Sequence, residues 1–259
     1  MLNGLFWVLS AGLTALTLAL RSLSLWWALL LLPGYYLAVG AAFLILLLAV
    51  TPCLPKHHTF SPACRRLLVW AIRWVLPFLG CQVRAEGLER LPEEPFLLVG
   101  NHVSNLDPLV AMAALSDRKL AFVSKPENFR YPVAGPLMRY SGFLPIDREN
   151  ARHAAATIHR AADAIGQGLC MGIYPEGTRN KSGQGLLPFH AGSFKIAKYA
   201  HCPIAVVTVQ YVRTGFPGFR RAHFQVAQVM DTAFVEENRT DTLCARARDI
   251  MEQAMDSSQ

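Results

Sequence analysis

From Met1 to Pro55 the chain carries a single charged side chain, Arg21, and all its other charge lies between Lys56 and Gln259. So uncharged a segment has no means of presenting a water-facing surface, so the chain is expected to divide into an apolar head and a more ordinary domain. Spanning a hydrocarbon core of about 30 Å takes about 20 apolar residues in a helix. Leu2–Leu20 and Leu25–Val50 both qualify, and Arg21 to Ser24 suffice for the turn of a helical hairpin. Residues 1–55 are therefore expected to be a membrane anchor. Pro33-Gly34 is a site for a kink in the second helix, and Trp26, Trp27, Tyr35 and Tyr36 are residue types that gather near lipid headgroups. A cleaved signal peptide is the rival reading of the first stretch. It lacks a basic leading region and is followed at once by a second long apolar run.

Lys56, Arg65, Arg66 and Arg73 follow the head, and this excess of positive charge predicts that the rest of the chain is cytoplasmic, with both termini on one side. His57-His58 is expected at the interface. Within residues 56–80, Leu67–Ile72 and Trp74–Leu76 form an apolar run edged by arginines and closed by Pro77. It reads as an interfacial amphipathic helix rather than a third span, with a buried core helix as the alternative. Both readings bring the remaining domain, residues 81–259, close to a bilayer surface.

The six cysteines are scattered with no C-x-x-C pair, which indicates neither a disulfide framework nor a zinc ribbon and suits a reducing compartment. The net charge of +7 contains no dense basic block, so nucleic acid is not an expected partner. Anionic lipid headgroups and phosphate-bearing substrates are better matched. Beyond residue 81, short apolar runs alternate with longer helical patterns, predicting an α/β domain with a mixed sheet flanked by helices. Strands are expected at Phe96–Val99, Leu120–Ser124, Gly142–Ile146, Leu169–Tyr174 and His223–Met230, with Ile204–Val212 the longest. Helices are expected at Leu109–Leu115, Glu149–Gly166, Ser193–Ala200 and Thr240–Met255.

Just after the first of these strands, Asn101-His102-Val103-Ser104-Asn105-Leu106-Asp107-Pro108 spaces a histidine and an aspartate five residues apart. On a continuous helix the two would face about 140° apart, so they meet only if the chain turns between them. Ser104 and Asn105 favour a turn, and Asp107-Pro108 matches an N-cap followed by proline at the first helical position. A carboxylate there would hold one imidazole nitrogen and leave the other basic. Read alone, the segment is by default a plain helix cap at Asp107 with His102 a satisfied turn histidine. A second turn, Pro175-Glu176-Gly177-Thr178-Arg179, follows the strand at Leu169–Tyr174. Glycine permits close approach of a ligand, threonine and main-chain amides donate hydrogen bonds, and arginine grips phosphate with a planar fork. Its plain alternative is a surface turn, which leaves Glu176 without a purpose.

Together these residues carry a resemblance. Asn101-His102 with Asp107 resembles the N-H-x-x-x-x-D box of the glycerolipid acyltransferases, and Tyr174 to Arg179 resembles their F-P-E-G-T-R box with tyrosine for phenylalanine. Gly142–Arg148 resembles the intervening box, and Cys202-Pro203-Ile204-Ala205-Val206 resembles a fourth box without its second proline. The match is nearest to the 1-acylglycerol-3-phosphate acyltransferase (lysophosphatidic acid acyltransferase) branch and spans roughly residues 85–215.

The resemblance implies that a fatty acyl group passes from an acyl thioester to the free hydroxyl of a lysophospholipid, with 1-acyl-sn-glycerol-3-phosphate as acceptor and phosphatidic acid as product. His102 would be the general base and Asp107 its orienting partner. Arg179, Gly177 and Thr178 would hold the acceptor phosphate, joined by Arg148 and Lys125, with Glu176 contacting the acceptor hydroxyls or steadying Arg179. Leu187–Lys195 would wall the pocket, His190 serving a structural role. No metal and no organic cofactor are implied, because acyl-CoA or acyl carrier protein delivers the thioester as co-substrate. His153 and His159, six apart on a helical pattern, have no partner at metal-ligand spacing.

Other lysolipid headgroups, ornithine lipids included, remain open as acceptors. A non-catalytic lipid-binding membrane protein is a different class and has no need of the His102 and Asp107 pair. A serine lipase would need G-x-S-x-G, which the sequence does not contain.

Overall fold

A computed structural model describes residues 2–54, 60–182, 185–215 and 218–256, which leaves Lys56, His57 and His58 outside the described residues. The chain divides into two compact units, Met1–Pro55 and Lys56–Gln259. In the first, α1 (Leu2–Arg21) and α2 (Ala28–Val50) are joined by a tight turn with Ser22 at φ 48° and a single 3-10 turn at Leu25–Trp27. Both helices are long and apolar enough to cross a membrane. They pair as an antiparallel hairpin: Phe6 meets Tyr36 and Phe43 edge to face at 6.1 and 5.4 Å, and the Thr17 and Tyr35 hydroxyls lie 2.7 Å apart. Pro33 lies within α2 without ending it. Leu29, Leu30, Leu37 and Ile45 point outward, an apolar surface suited to hydrocarbon.

The second unit is built on a seven-stranded mixed sheet in the order β1-β7-β6-β2-β5-β3-β4. Its strands are β1 (Cys81–Glu86), β2 (Leu97–Gly100), β3 (Leu120–Ser124), β4 (Leu144–Pro145), β5 (Cys170–Ile173), β6 (Ile204–Arg213) and β7 (Arg220–Met230). Strands β6, β2, β5, β3 and β4 run parallel, whereas β7 is antiparallel to β6 and parallel to β1. The central strands are buried along their whole length, as expected where helices cover both faces, and β1 alternates at the edge. Two sequence expectations need correction. Strand β7, with 11 residues, is longer than β6, with 10. The strand expected over 142–146 shrinks to Leu144–Pro145, because Gly142, at φ 88°, and Phe143 still bond back to the end of the helix Ala134–Tyr140 and only the Ile146 amide continues the ladder, to the Ser124 carbonyl at 2.9 Å.

Around the sheet lie α3 (Pro62–Phe78), α4 (Asp107–Ala114), α5 (Ala134–Tyr140), α6 (Ala151–Gly166), α7 (Lys195–Ala200), α8 (Thr232–Glu237) and α9 (Thr240–Asp256). Ser61 caps α3 by accepting from the Cys64 amide at 3.4 Å, with Pro62 opening the first turn. Helix α3 buries Leu68, Val69, Ile72 and Leu76 against the unit's core and exposes Trp74 and Phe78, with its C-cap Leu79 also exposed. Its arginine at position 65 is buried and donates to the Arg118 carbonyl, with burial lowering its pKa to about 10. The strand directions place the carboxyl ends of β2, β5, β3, β4 and β6 along one edge, with the amino ends of β7 and β1. That edge is where ligands usually sit in such sheets.

Candidate active site

The chain leaving β2 turns sharply over residues 101–106 and enters α4 at Asp107, which brings His102 and Asp107 together. His102 Nδ1 lies 2.8 Å from Asp107 Oδ2, and the Val103 and Ser104 amides donate to the same oxygen at 2.8 Å each. Tyr211, near the end of β6, donates its hydroxyl to Asp107 Oδ1 at 2.7 Å. The carboxylate is fully buried, and an ionised carboxylate only accepts, so Nδ1 carries the hydrogen. The other ring nitrogen has no hydrogen-bond partner among the described residues, and the imidazole is 17% exposed. Asp107 does not cap α4. Leu106 is the N-cap of α4 without a side-chain cap bond, and Asp107 is its first helical residue, facing back toward the preceding turn.

Asn101 and Glu176 hold this turn from two sides. Asn101 donates to the Val209 carbonyl at 3.0 Å and accepts from the Val209 amide at 2.7 Å, which pins β6 beside β2. Glu176 accepts from the His102 amide at 2.6 Å through Oε1 and from the Leu187 amide at 3.0 Å through Oε2. Both its oxygens are thus occupied by main-chain groups. Burial pushes its carboxyl above the usual range, and the two amides oppose that shift. The Asn180 amide closes the ring of contacts by donating to the His102 carbonyl at 2.7 Å, so the arginine-bearing turn abuts the histidine turn directly.

Behind the imidazole stands a column of rings. His102 stacks on Tyr174 at 4.4 Å and 12°, and Tyr174 stacks on Phe122 at 5.5 Å and 9°. Gly172 makes the column possible, because a Cβ there would lie 2.2 Å from Phe122.

Tyr174 and Gly177 also line a cavity of about 370 Å³. Its walls are largely apolar, from Val123, Ile146, Ile158 and Ile173 with three alanines of α6. Arg148, His190 and Lys195 add polar groups. Gly177 has φ 70°, and a Cβ there would stand 3.0 Å from the His190 ring and 3.9 Å from Arg148, so the turn closes tightly over these two side chains. Burial lowers the Arg148 pKa. Lys125, at the end of β3, is exposed and is not part of the cavity wall. Arg179 is half-buried, Thr178 is exposed, and neither main-chain amide makes a hydrogen bond within the described residues.

Sequence reasoning missed Tyr211, for which no motif or spacing gave a signal. The two-bonded role of Asn101 was concealed inside a box quoted for its histidine. Among the described residues no group of three or more metal-ligating side chains stands together.

The acyltransferase family model matches residues 82–211. A chloroplast 1-acyl-sn-glycerol-3-phosphate acyltransferase of Brassica napus is 30% identical over 193 residues, covering 72% of this chain and 54% of that one. The corresponding Arabidopsis thaliana protein is 28% identical over 84% of this chain and 62% of its own length. The human beta form of this enzyme is 31% identical over 64% and 59%. The chain therefore spans between 54% and 62% of the length of these relatives. The crystal structure of a 1-acyl-sn-glycerophosphate acyltransferase from Thermotoga maritima shares the fold, with a TM-score of 0.56 at 19% identity over 71% of this chain and 78% of that one. With the family match covering half the sequence and including both turns of the site, this chain belongs to the acyltransferase family.

Proposed function

We propose that the protein transfers a fatty acyl group from an acyl thioester to the free hydroxyl of a lysophospholipid, 1-acyl-sn-glycerol-3-phosphate, and so makes phosphatidic acid. One observation carries this reading: His102 is held through Nδ1 by a buried carboxylate while its other nitrogen stays open at the carboxyl edge of the sheet. That is the arrangement of a positioned general base. The acceptor hydroxyl oxygen attacks the acyl carbonyl carbon as His102 takes its proton. The tetrahedral intermediate then collapses, the C–S bond breaks, and the departing thiolate takes the proton from the imidazolium. Asp107 orients the ring and stabilises its charged form. Thiolates leave readily, so the reaction needs no covalent relay through the protein. The three amides nearest His102 are already spent on Asp107 and Glu176. Those of Thr178 and Arg179 are left to donate to the developing oxyanion or to the acceptor phosphate.

Arg179, Gly177 and Thr178 hold that phosphate, Arg148 contributing from the cavity wall and Lys125 from farther out, and the apolar walls take hydrocarbon. Acyl-CoA or acyl carrier protein is the donor. Residues 1–55 anchor the chain, and residues 81–259 work on the cytoplasmic face. The helix within 56–80 lies along the bilayer, supported by its exposed Trp74 and Phe78. The test is to supply the purified protein with radiolabelled lysophosphatidic acid and oleoyl-CoA. Labelled phosphatidic acid is the expected product. Released fatty acid would point to a hydrolase, and binding without turnover to a scaffold.

A further inference from the structure

We infer that Tyr211 is a positioning residue of the acyl-transfer site, acting through Asp107 to keep His102 in the tautomer and orientation that catalysis requires. The inference rests on the acyl-transfer reading for its kinetic consequence but not for its structural one. Asp107 receives four donors, three of them on Oδ2. Its other oxygen has the Tyr211 hydroxyl as the one donor among the described residues, at 2.7 Å. Both lone pairs of a fully buried carboxylate oxygen would be left bare without it, a costly state that rotation of the carboxylate would relieve. Rotation moves Oδ2 off the His102 Nδ1–H and off both amides at once. The hydroxyl therefore fixes the carboxylate plane on which the other three bonds depend.

Nothing local puts a tyrosine there. Tyr211 stands 104 residues downstream of Asp107, and its place depends on Asn101, the neighbour of His102, whose amide clamps Val209 two residues before it. The histidine turn thus sets the register of the strand that supports it. Other groups facing the cluster are Cys81 of β1, Arg220 of β7 with its guanidinium 5.7 Å from the Tyr211 ring, and Tyr174 and Glu176 from the end of β5. Burial pushes the Tyr211 hydroxyl far above its ordinary range, with Asp107 adding to the shift, so it remains a donor throughout the working pH range.

The test compares the protein with its Tyr211→Phe variant, which keeps the ring and removes the hydroxyl. Nitrogen-15 spectra of labelled histidine, with the His102 signals assigned by their loss in His102→Gln, read the ring tautomer in the absence of substrate. The variant is expected to lose the fixed Nδ1–H form in favour of a mixture. Its kcat is expected to fall about tenfold at unchanged KM, the order set by one hydrogen bond to a buried charge. Unchanged ring signals, or a kcat within about twofold of the parent, would overturn the proposal. So would a loss of activity matched by a loss of melting temperature with the ring signals intact, which would reduce Tyr211 to packing. If even the parent turns over no lysolipid, the proposed reaction fails while the ring signals still decide the role of Tyr211.

Discussion

The imidazole of His102 lies flat on the phenol of Tyr174, 4.4 Å between centroids and 12° from parallel, and the buried Tyr174 hydroxyl has no hydrogen-bond partner among the described residues. The ring contributes a platform that stops the imidazole from tilting off Asp107. The hydroxyl contributes only a desolvation cost, seen also in a pKa pushed well above its ordinary value by burial.

Tyr174→Phe should therefore keep the stack, retain kcat and stabilise the fold. Removing an unpartnered buried hydroxyl returns about 1–3 kcal/mol. At about 2–4 °C per kcal/mol for a domain of this size, that is a rise of a few degrees in melting temperature. Tyr174→Ala should instead cut kcat by losing the platform. A lower melting temperature in the phenylalanine variant would show that the hydroxyl has a partner in the working protein.

His102→Ala should lower kcat by about 10² to 10⁴, the range for a lost general base, with acceptor binding largely intact. Titration of lysophosphatidic acid by calorimetry checks the binding half, and steady-state turnover of oleoyl-CoA the other. A variant keeping more than about a tenth of the parental rate would remove His102 from the role of base.

The pair of His102 and Asp107 was legible in the sequence because both lie in one short turn whose residue types already oppose a helix. Helix α4 starts one residue before the position the cap reading implies and two before the Leu109 start expected from the apolar pattern, because a carboxylate before proline serves as a cap or as an acceptor for the preceding turn, and only the fold chooses. Strand β6 was legible as a long run dominated by apolar, mostly β-branched residues, interrupted only by Thr208 and Gln210 before Arg213. Strand β1 was not, since Cys81–Glu86 mixes polar and apolar residues at a sheet edge where one face needs no burial. Tyr211 was illegible for a different reason: its contact joins the end of β6 to the start of α4, 104 residues earlier in the chain, and nothing within several residues of it differs from an ordinary strand end.

Glu176→Gln should change how stability depends on pH. Burial raises the folded-state pKa of Glu176 above its ordinary value of 4.5. The folded state therefore binds more protons than the unfolded state in that window, and stability falls as pH rises from about 4.5 through the raised value. Glutamine removes this slope. It also turns one acceptor into a donor facing an amide, at His102 or at Leu187, so the variant should be less stable at neutral pH by about 1–3 kcal/mol. Urea melts of both proteins between pH 4 and 7 test this. Parallel curves across the window would show that the Glu176 carboxyl titrates as it does in the unfolded chain.

Arg179 and Arg148 are separable by what surrounds them. Arg179 has no ion pair among the described residues and follows a turn whose neighbouring amide is bonded to His102, so its guanidinium is available to a phosphate close to the base. Arg148 stands beside Gly177 on the wall of the apolar cavity, where burial already lowers its pKa. Arg179→Ala should then raise KM for a phosphate-bearing acceptor by about tenfold or more, the scale of a charge-assisted hydrogen bond, with a smaller effect on an acceptor whose phosphate is absent. Arg148→Ala should give a weaker version of the same discrimination, because an arginine spaced from the base by a glycine turn reaches the phosphate from one side only. The decisive measurement is the ratio of kcat/KM for lysophosphatidic acid to that for monoacylglycerol in each variant. If Arg179→Ala lowered both values equally, the arginine would be supporting the turn that holds His102 rather than reading the headgroup.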